Sequence, residues 1–456
     1  MRVAVVGGGI AGLAAARRLE VIASDAEVLL VERDPVLGGK LRTEHVDGFV
    51  IEAAPDSFLS RKERGVGLCE ELGLRDELVG RRPEHHRTFV RMGDELHPLP
   101  EGLTGMIPTS LEALEETELL SPAGKARFAA EIDVPARRGP ADESIGAFVS
   151  RRFGREAYEG LVEPLMTGIY GGDGDKLSLQ ATFPQLRVLE LEHGSLLRGL
   201  SAPAASELPP FVSLRDGMGM FVDALRDSFE RTQLLTGREA IRVLPGDDGY
   251  RVELAAGETY AADGVVVATP AYVTAELLAD LDPELAAEHL AIPYASSVVV
   301  TLAFSRADVV PLDGYGYLVP RSAGRDVLAC TWSSQKWENR APDDCVLLRV
   351  YAGRFGGRDL TEDADADLVA LAREELAFLN VVAAPILERV QRWPWGMPQY
   401  LVGHPARLAR IDDALAAHPG LALAGAAYDG VGIPDCIRSG ELAAESVVRA
   451  VTGARA

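Results

Sequence analysis

Four apolar β-formers, Val3-Ala-Val-Val6, run into Gly7-Gly-Gly9-Ile-Ala-Gly12, and a helical pattern, Leu13-Ala-Ala-Ala-Arg-Arg-Leu19, follows at once. A second apolar run, Val28-Leu-Leu-Val31, ends in Glu32, 20 positions after Gly12. Unbroken apolar runs on either side of a helix predict two buried parallel strands joined by a crossover. The order strand, glycine turn, helix, strand, acid is the G-x-G-x-x-G dinucleotide fingerprint in its required context. In that role Gly7 permits the tight turn, Gly9 admits a pyrophosphate, and Gly12 lets helix and strand pack closely. The amides and dipole at the helix N-terminus favour the anion. Glu32 would accept hydrogen bonds from ribose hydroxyls, which disfavours a 2′-phosphate.

The next stretch, Arg33-Asp-Pro-Val-Leu-Gly38-Gly39-Lys-Leu-Arg42, brings a second glycine pair close behind the second strand. A nicotinamide-binding unit has no need of it. In flavoproteins of the glutathione-reductase-like architecture this segment runs along the pyrophosphate and ribityl chain, where small residues are required. Gly48-Phe-Val-Ile-Glu52 predicts a short strand and Ala54-Pro55-Asp56-Ser57 a turn. Gly264-Val-Val-Val-Ala-Thr-Pro270 predicts a buried strand ending in a turn, Leu421-Ala-Leu-Ala-Gly425-Ala another buried strand, and a hairpin pattern surrounds Gly257. After the last strand, Gly430-Val-Gly432-Ile-Pro-Asp435 leads into a helical pattern. Its N-terminus would either aim a dipole at a flavin or form an ordinary turn capped by Asp435.

These segments make the expected cofactor domain discontinuous: residues 1–80, 212–275 and 408–456. Strand-like runs at Arg87–Arg91, Ser297–Phe304, Tyr315–Val319, Val327–Trp332 and Val346–Tyr351 predict an antiparallel substrate sheet within 81–106 and 276–407. Residues 107–211 read as mostly helical, punctuated by Pro108, Ser121-Pro122 and the Pro203–Pro210 stretch, with a polar, mobile loop at Arg137–Ser144. A chain of 456 residues exceeds one ordinary core, in keeping with several domains. The formal charge of −23 argues against nucleic acid and anionic membranes as global partners. It also means that an anionic substrate needs a local basic pocket. Only five lysines occur: Lys40, Lys62, Lys125, Lys176 and Lys336. Four scattered cysteines lack metal-ligand spacing and read as reduced thiols, so no metal is expected and the cytoplasm is the expected location. No apolar stretch is long enough to span a membrane, which leaves at most peripheral contact.

The chain resembles the FAD-dependent, oxygen-using porphyrinogen oxidases, and within them the coproporphyrin-forming coproporphyrinogen III oxidases. The segments that carry the resemblance are Gly38-Gly-Lys-Leu, Pro55-Asp-Ser-Phe-Leu-Ser-Arg-Lys62, Leu96-His-Pro-Leu-Pro, Glu163-Pro-Leu-Met-Thr-Gly-Ile-Tyr-Gly-Gly-Asp, Leu177-Ser-Leu-Gln-Ala-Thr-Phe-Pro-Gln, Cys330-Thr-Trp-Ser-Ser-Gln-Lys-Trp, Met397-Pro-Gln-Tyr-Leu-Val-Gly-His404 and Gly430-Val-Gly-Ile-Pro-Asp-Cys-Ile. It implies an α/β (α+β overall) fold: a discontinuous Rossmann-type FAD domain of the p-hydroxybenzoate-hydroxylase and amine-oxidase kind, an antiparallel-sheet substrate domain and a helical domain. One departure stands out, because Ala53-Ala54 occupies the place where the family often has Arg-Gly.

The resemblance further implies non-covalent FAD contacted by Gly8, Gly9, Ile10, Ala11, Gly12 and Leu13 after Gly7, by Glu32 and Arg33, and by Gly39 and Lys40. It adds Ala54, Pro55, Asp56 and Ser57, the backbone near Ala240, Trp393, and Val431, Gly432 and Ile433. Read blind, Trp393 is a core residue. The implied reaction is six-electron oxidation of coproporphyrinogen III with O2 as acceptor and hydrogen peroxide released. Four propionates call for local Arg or Lys. Lys62 is the first candidate, against a solvated basic face at Arg61-Lys-x-Arg64. Tyr351 and Arg349, on one face of a strand, are next, against solvent or core. Protoporphyrinogen IX is the nearest rival substrate. A flavin amine oxidase or desaturase, and a non-enzymatic lipid-binding escort protein, are more distant rivals. A haem-pathway enzyme as partner fits the resemblance, but no residue reports it, and none reports the oligomeric state.

Overall fold

The structure is a computed structural model that describes residues 1–456 except 101, 105, 109, 110, 140, 201–206 and 454–456. The part of the Pro203–Pro210 stretch before Glu207 therefore lies outside the described residues.

The apolar run Arg2–Val6 forms the middle strand of a five-stranded parallel sheet. Its order is Gln233–Thr236, Glu27–Glu32, Arg2–Val6, Gly264–Val267, Leu421–Leu423. Val3 lies in register with Val28 on one side and Gly264 on the other, and all four pairings are parallel. Parallel strands need both faces covered, which explains runs without polar alternation. On one face lie the helix Ile10–Ile22 and the long helix Ile433–Gly453. The long helix buries Ile433, Cys436, Ile437, Gly440, Ala444, Val447 and Val451, a spacing of three and four that makes one apolar stripe. Leu13, Leu19, Leu30 and Val266 are fully buried there, each contributing about 1.5–3 kcal/mol. The other face is covered by the antiparallel sheet Ala240–Gly246, Gly249–Leu254, Thr259–Ala262 and by the helices Ala271–Leu278 and Pro283–Leu290.

A second, seven-stranded sheet has the order Leu387–Pro398, Tyr294–Ser305, Cys345–Ala352, Val327–Trp332, Gly316–Leu318, Phe89–Met92, Glu95–Pro98. It is antiparallel as expected except where Gly316–Leu318 pairs in parallel with Phe89–Met92. Its 12-residue edge strand Leu387–Pro398 carries no clear sequence signal. That strand is half exposed, mixes charge with tryptophan, and holds Pro394 and Gly396 near its end, as an edge strand tolerates.

Between these sheets in sequence, residues 111–199 are mostly helical. Ser121, Ser144, Ser178 and Ser195 each cap a helix by accepting a backbone N–H from three residues on. At the start of the loop expected to be mobile, Arg137 donates its backbone N–H to the Glu190 carboxylate and its guanidinium to that of Glu143.

Candidate active site

The glycine turn shows whether a dinucleotide fits. A Cβ on Gly12 would lie 1.8 Å from the Gly7 carbonyl oxygen, so glycine is obligatory where helix and strand meet. A Cβ on Gly9 would meet nothing within 4 Å, which leaves open space where a pyrophosphate approaches. Gly9 is the residue before the helix, and no side chain caps that helix. The first amides of Ile10, Ala11 and Gly12 are thus left for an anion. Ala11 and Leu13 themselves point into the core, so any cofactor contact they make is through backbone.

The second glycine pair closes against the first. Gly38 donates its N–H to the Gly8 carbonyl at 2.8 Å, and Gly9 and Gly38 form a parallel bridge. Glu32 folds over the same turn: Oε2 accepts the Gly8 N–H at 2.6 Å and Oε1 accepts the Asp34 N–H at 2.8 Å. The Arg238 N–H meets the Glu32 carbonyl at 3.0 Å, which brings the segment before Ala240 beside Arg33. Here a surface cleft of about 390 Å3 is lined by Arg33, Asp34, Gly237, Arg238 and Glu239, among others. Burial pushes the Lys40 ammonium down, with Cys436 opposing and Arg33 adding to the shift.

The turn Ala54–Ser57 is held by side chains from the seven-stranded sheet and the helix that follows one of its strands. Trp393 Nε1 donates to the Ala53 carbonyl at 3.0 Å, and Arg349 Nη2 to the Ala54 carbonyl at 2.5 Å. The two alanines that depart from the family pattern are therefore fixed through their backbone. Asp56 is buried. Its carboxylate accepts Lys336 Nζ at 2.9 and 3.0 Å and Trp337 Nε1 at 3.1 Å, with Arg349 Nη1 at 3.7 Å. Burial alone would push this carboxyl up, but the Lys336 and Arg349 charges and the two donors hold it well below its ordinary value. The Asp56 side chain is thus spent on protein partners.

Arg349 is 1 % exposed and meets the site through the turn rather than through open space. Its guanidinium stacks on Tyr351 at 5.1 Å, so the two do share one strand face. Burial raises the Tyr351 phenol to about 12, with the Arg349 charge opposing, which keeps it protonated at neutral pH.

The third wall is the turn before the last helix. Asp435 Oδ2 accepts the Gly432 N–H at 3.2 Å and Lys62 Nζ at 2.5 Å. Lys62 is half exposed, and one of its three donors is spent on this pair. Tyr400 Oη accepts the Gly430 N–H at 3.0 Å and donates to the Ala426 carbonyl at 2.6 Å. Ile433 is buried in the core and Val431 packs against the helical region. Sequence reading assigned no role to Lys336, Trp337 or Tyr400. The rarity of lysine was the one available signal for Lys336.

The glycine turn and the uncapped start of the helix that follows it are those of a dinucleotide-binding fold, and the comparisons with known proteins make the chain a flavin-dependent oxidoreductase. The chain belongs to the flavin containing amine oxidoreductase family, whose profile matches residues 10–448. It is 37% identical to the coproporphyrinogen III oxidase of Bacillus subtilis (strain 168), over 97% of this chain and 96% of that protein. With the coproporphyrinogen III oxidase of Staphylococcus aureus (strain NCTC 8325 / PS 47) it shares 32% over 98% of each chain. A crystal structure of a putative protoporphyrinogen oxidase from Exiguobacterium sp. 255-15 superposes with a TM-score of 0.88 at 34% identity, over 98% of both chains. Reduced UDP-galactopyranose mutase shares the fold alone, with a TM-score of 0.72 at 14% identity over 98% of this chain and 95% of that one. Among the described residues, no helix is long and apolar enough to cross a membrane.

Proposed function

We propose that this chain oxidises coproporphyrinogen III to coproporphyrin III, removing six electrons with O2 as terminal acceptor and releasing hydrogen peroxide. The observation that carries the reading is end-to-end similarity to coproporphyrinogen III oxidases on a chain whose glycine cradle has room for a dinucleotide. The cofactor in this reading is non-covalent FAD, which when bound accepts hydride equivalents and passes them to O2. Non-covalent binding is supported by Cys436, a buried thiol that burial raises to about 12.

In this proposal the chain's own residues orient and exclude. Gly7 to Leu13, Gly39 and Lys40 hold the pyrophosphate, while Glu32, Arg33 and the Ala240 backbone hold the adenosine end. Ala54 to Ser57, Trp393 and Val431 to Ile433 frame the flavin ring. Arg349 is a positioning residue that fixes the Ala54 carbonyl, and protonated Tyr351 shapes the substrate face beside it. Lys62 offers its two remaining donors to a propionate. The reading assigns residues 1–80, 212–275 and 408–456 to the cofactor, 81–106 and 276–407 to the substrate, and 107–211 to the helical region. Its setting is the cytoplasm, supported by the −23 charge and four unpaired thiols.

The test is aerobic incubation of the purified yellow protein with coproporphyrinogen III and, separately, protoporphyrinogen IX, following porphyrin fluorescence. Preference for the first supports the proposal. Preference for the second moves the chain to protoporphyrin formation. Oxidation of neither reopens an amine-oxidase reading, and a colourless protein a non-enzymatic one.

A further inference from the structure

Arg81 follows the short strand Leu78–Gly80. Its guanidinium lies 4.6 Å from the centroid of the Tyr315 ring and 5.1 Å from that of Phe211. Two aromatic rings flank it, and among the described residues no side-chain hydrogen bond holds its N–H groups. No carboxylate among the described residues forms an ion pair with it. The field of Asp56 reaches it, yet that carboxylate is already shared by Lys336, Trp337 and Arg349. Burial pushes the guanidinium down, as expected of a cation without a close partner.

The surroundings are cationic. Lys336 feels Arg81 and Arg349 as like charges, and Arg340 lies in the field of Asp56, Glu52 and Arg349. Arg340 also lies in the field of Asp216, so four cations share three carboxylates, Asp56, Glu52 and Asp216, in a chain whose net charge is −23. Burial also pushes the Glu52 carboxyl up. Arg81 is itself partly exposed, beside Phe211 at 38% exposed. Phe211 pairs in register with Leu59, three residues before Lys62. We propose that Arg81 is a carboxylate-binding residue, its free guanidinium edge taking one ionised carboxylate of the substrate. This rests on the porphyrinogen reading above and names a second cation beside Lys62 for that site.

The experiment uses flavin-loaded holoenzyme of wild type, Arg81→Leu and Arg81→Lys. Flavin content, Tm, and KM and kcat for coproporphyrinogen III are measured at low and at ~0.15 M salt. Arg81→Leu is expected to raise KM about tenfold with kcat within about twofold, the scale of one lost charge-assisted hydrogen bond. Its KM should also depend less on salt than that of wild type, and Arg81→Lys should recover part of the loss. A packing role alone would lower Tm or flavin content and leave KM and its salt dependence at wild-type values, which overturns the proposal. If Arg81→Leu loses its flavin, Arg81→Gln keeps a planar head between the rings and is read in the same way. Wild type that oxidises neither porphyrinogen sinks the functional reading itself. Wild type that is active, with unchanged KM in the variants, sinks only the role of Arg81.

Discussion

Replacing Asp56 by Asn should loosen the contact between the cofactor turn and the seven-stranded sheet. Asp56 accepts two contacts from Lys336 Nζ and one from Trp337 Nε1, and it balances Arg349. An amide keeps the shape but turns an NH2 toward these donors and leaves two cations uncompensated in a site where Arg349 is 1 % exposed. Breaking a buried ion pair from one side costs about 3–5 kcal/mol. For a chain of this length the unfolding entropy is roughly 1 kcal/mol/K, so Tm should fall by about 3–5 °C. Thermal unfolding of the holoenzyme, followed by flavin fluorescence, reads it. The double variant Asp56→Asn with Lys336→Met should lose less than the sum of the single variants, because it removes one stranded charge. The wild-type contribution also has a pH signature. The folded carboxyl is held below the unfolded value of 3.8, so its stabilisation is complete above that value and is lost as pH falls beneath it. Asp56→Asn within 1 °C of wild type, or strict additivity in the double variant, would refute the clamp.

Gly12→Ala should purify without flavin, because its Cβ would lie 1.8 Å from the Gly7 oxygen; the flavin-to-protein absorbance ratio decides this. Tyr400→Phe removes both Oη contacts to the Ala426–Gly430 segment. It should cost about 1–3 kcal/mol, read as Tm, and shift the flavin absorption bands. His404 stacks on Tyr400 at 4.4 Å, and burial pushes it down to about 4 from 6.5. The unfolded chain takes up that proton first, so stability should fall by about 3 kcal/mol as pH drops from 6.5 through 4. His404→Phe should flatten that part of the pH–Tm curve. Lys62→Ala should raise KM for coproporphyrinogen III severalfold while the protein stays yellow; unchanged steady-state kinetics would remove Lys62 from the substrate site.

The parallel strands were legible in the sequence because burial on both faces writes an unbroken apolar run, and the glycine turn because its spacing is local. The edge strand Leu387–Pro398 was not, since a half-exposed strand ending in Pro and Gly has no clean period. Trp393, which sits on it, entered only through family resemblance. Asp56 stood out as part of a turn, but its partners lie 280 and 281 residues away, and no local pattern reports such a pairing. Arg349 and Tyr351 were correctly placed on one face by strand alternation. That Arg349 would be spent on a backbone carbonyl is a fact of tertiary packing.

Gly440, on the last helix, approaches Ala11 so closely that a Cβ there would lie 2.0 Å from the Ala11 carbonyl oxygen. The helix that carries the glycine turn is therefore backed by a segment made more than 400 residues later. The apolar flank of the first βαβ unit is therefore covered only when Ile433–Gly453 docks on it, so the glycine turn reaches its final packing only after segments at opposite ends of the sequence have met.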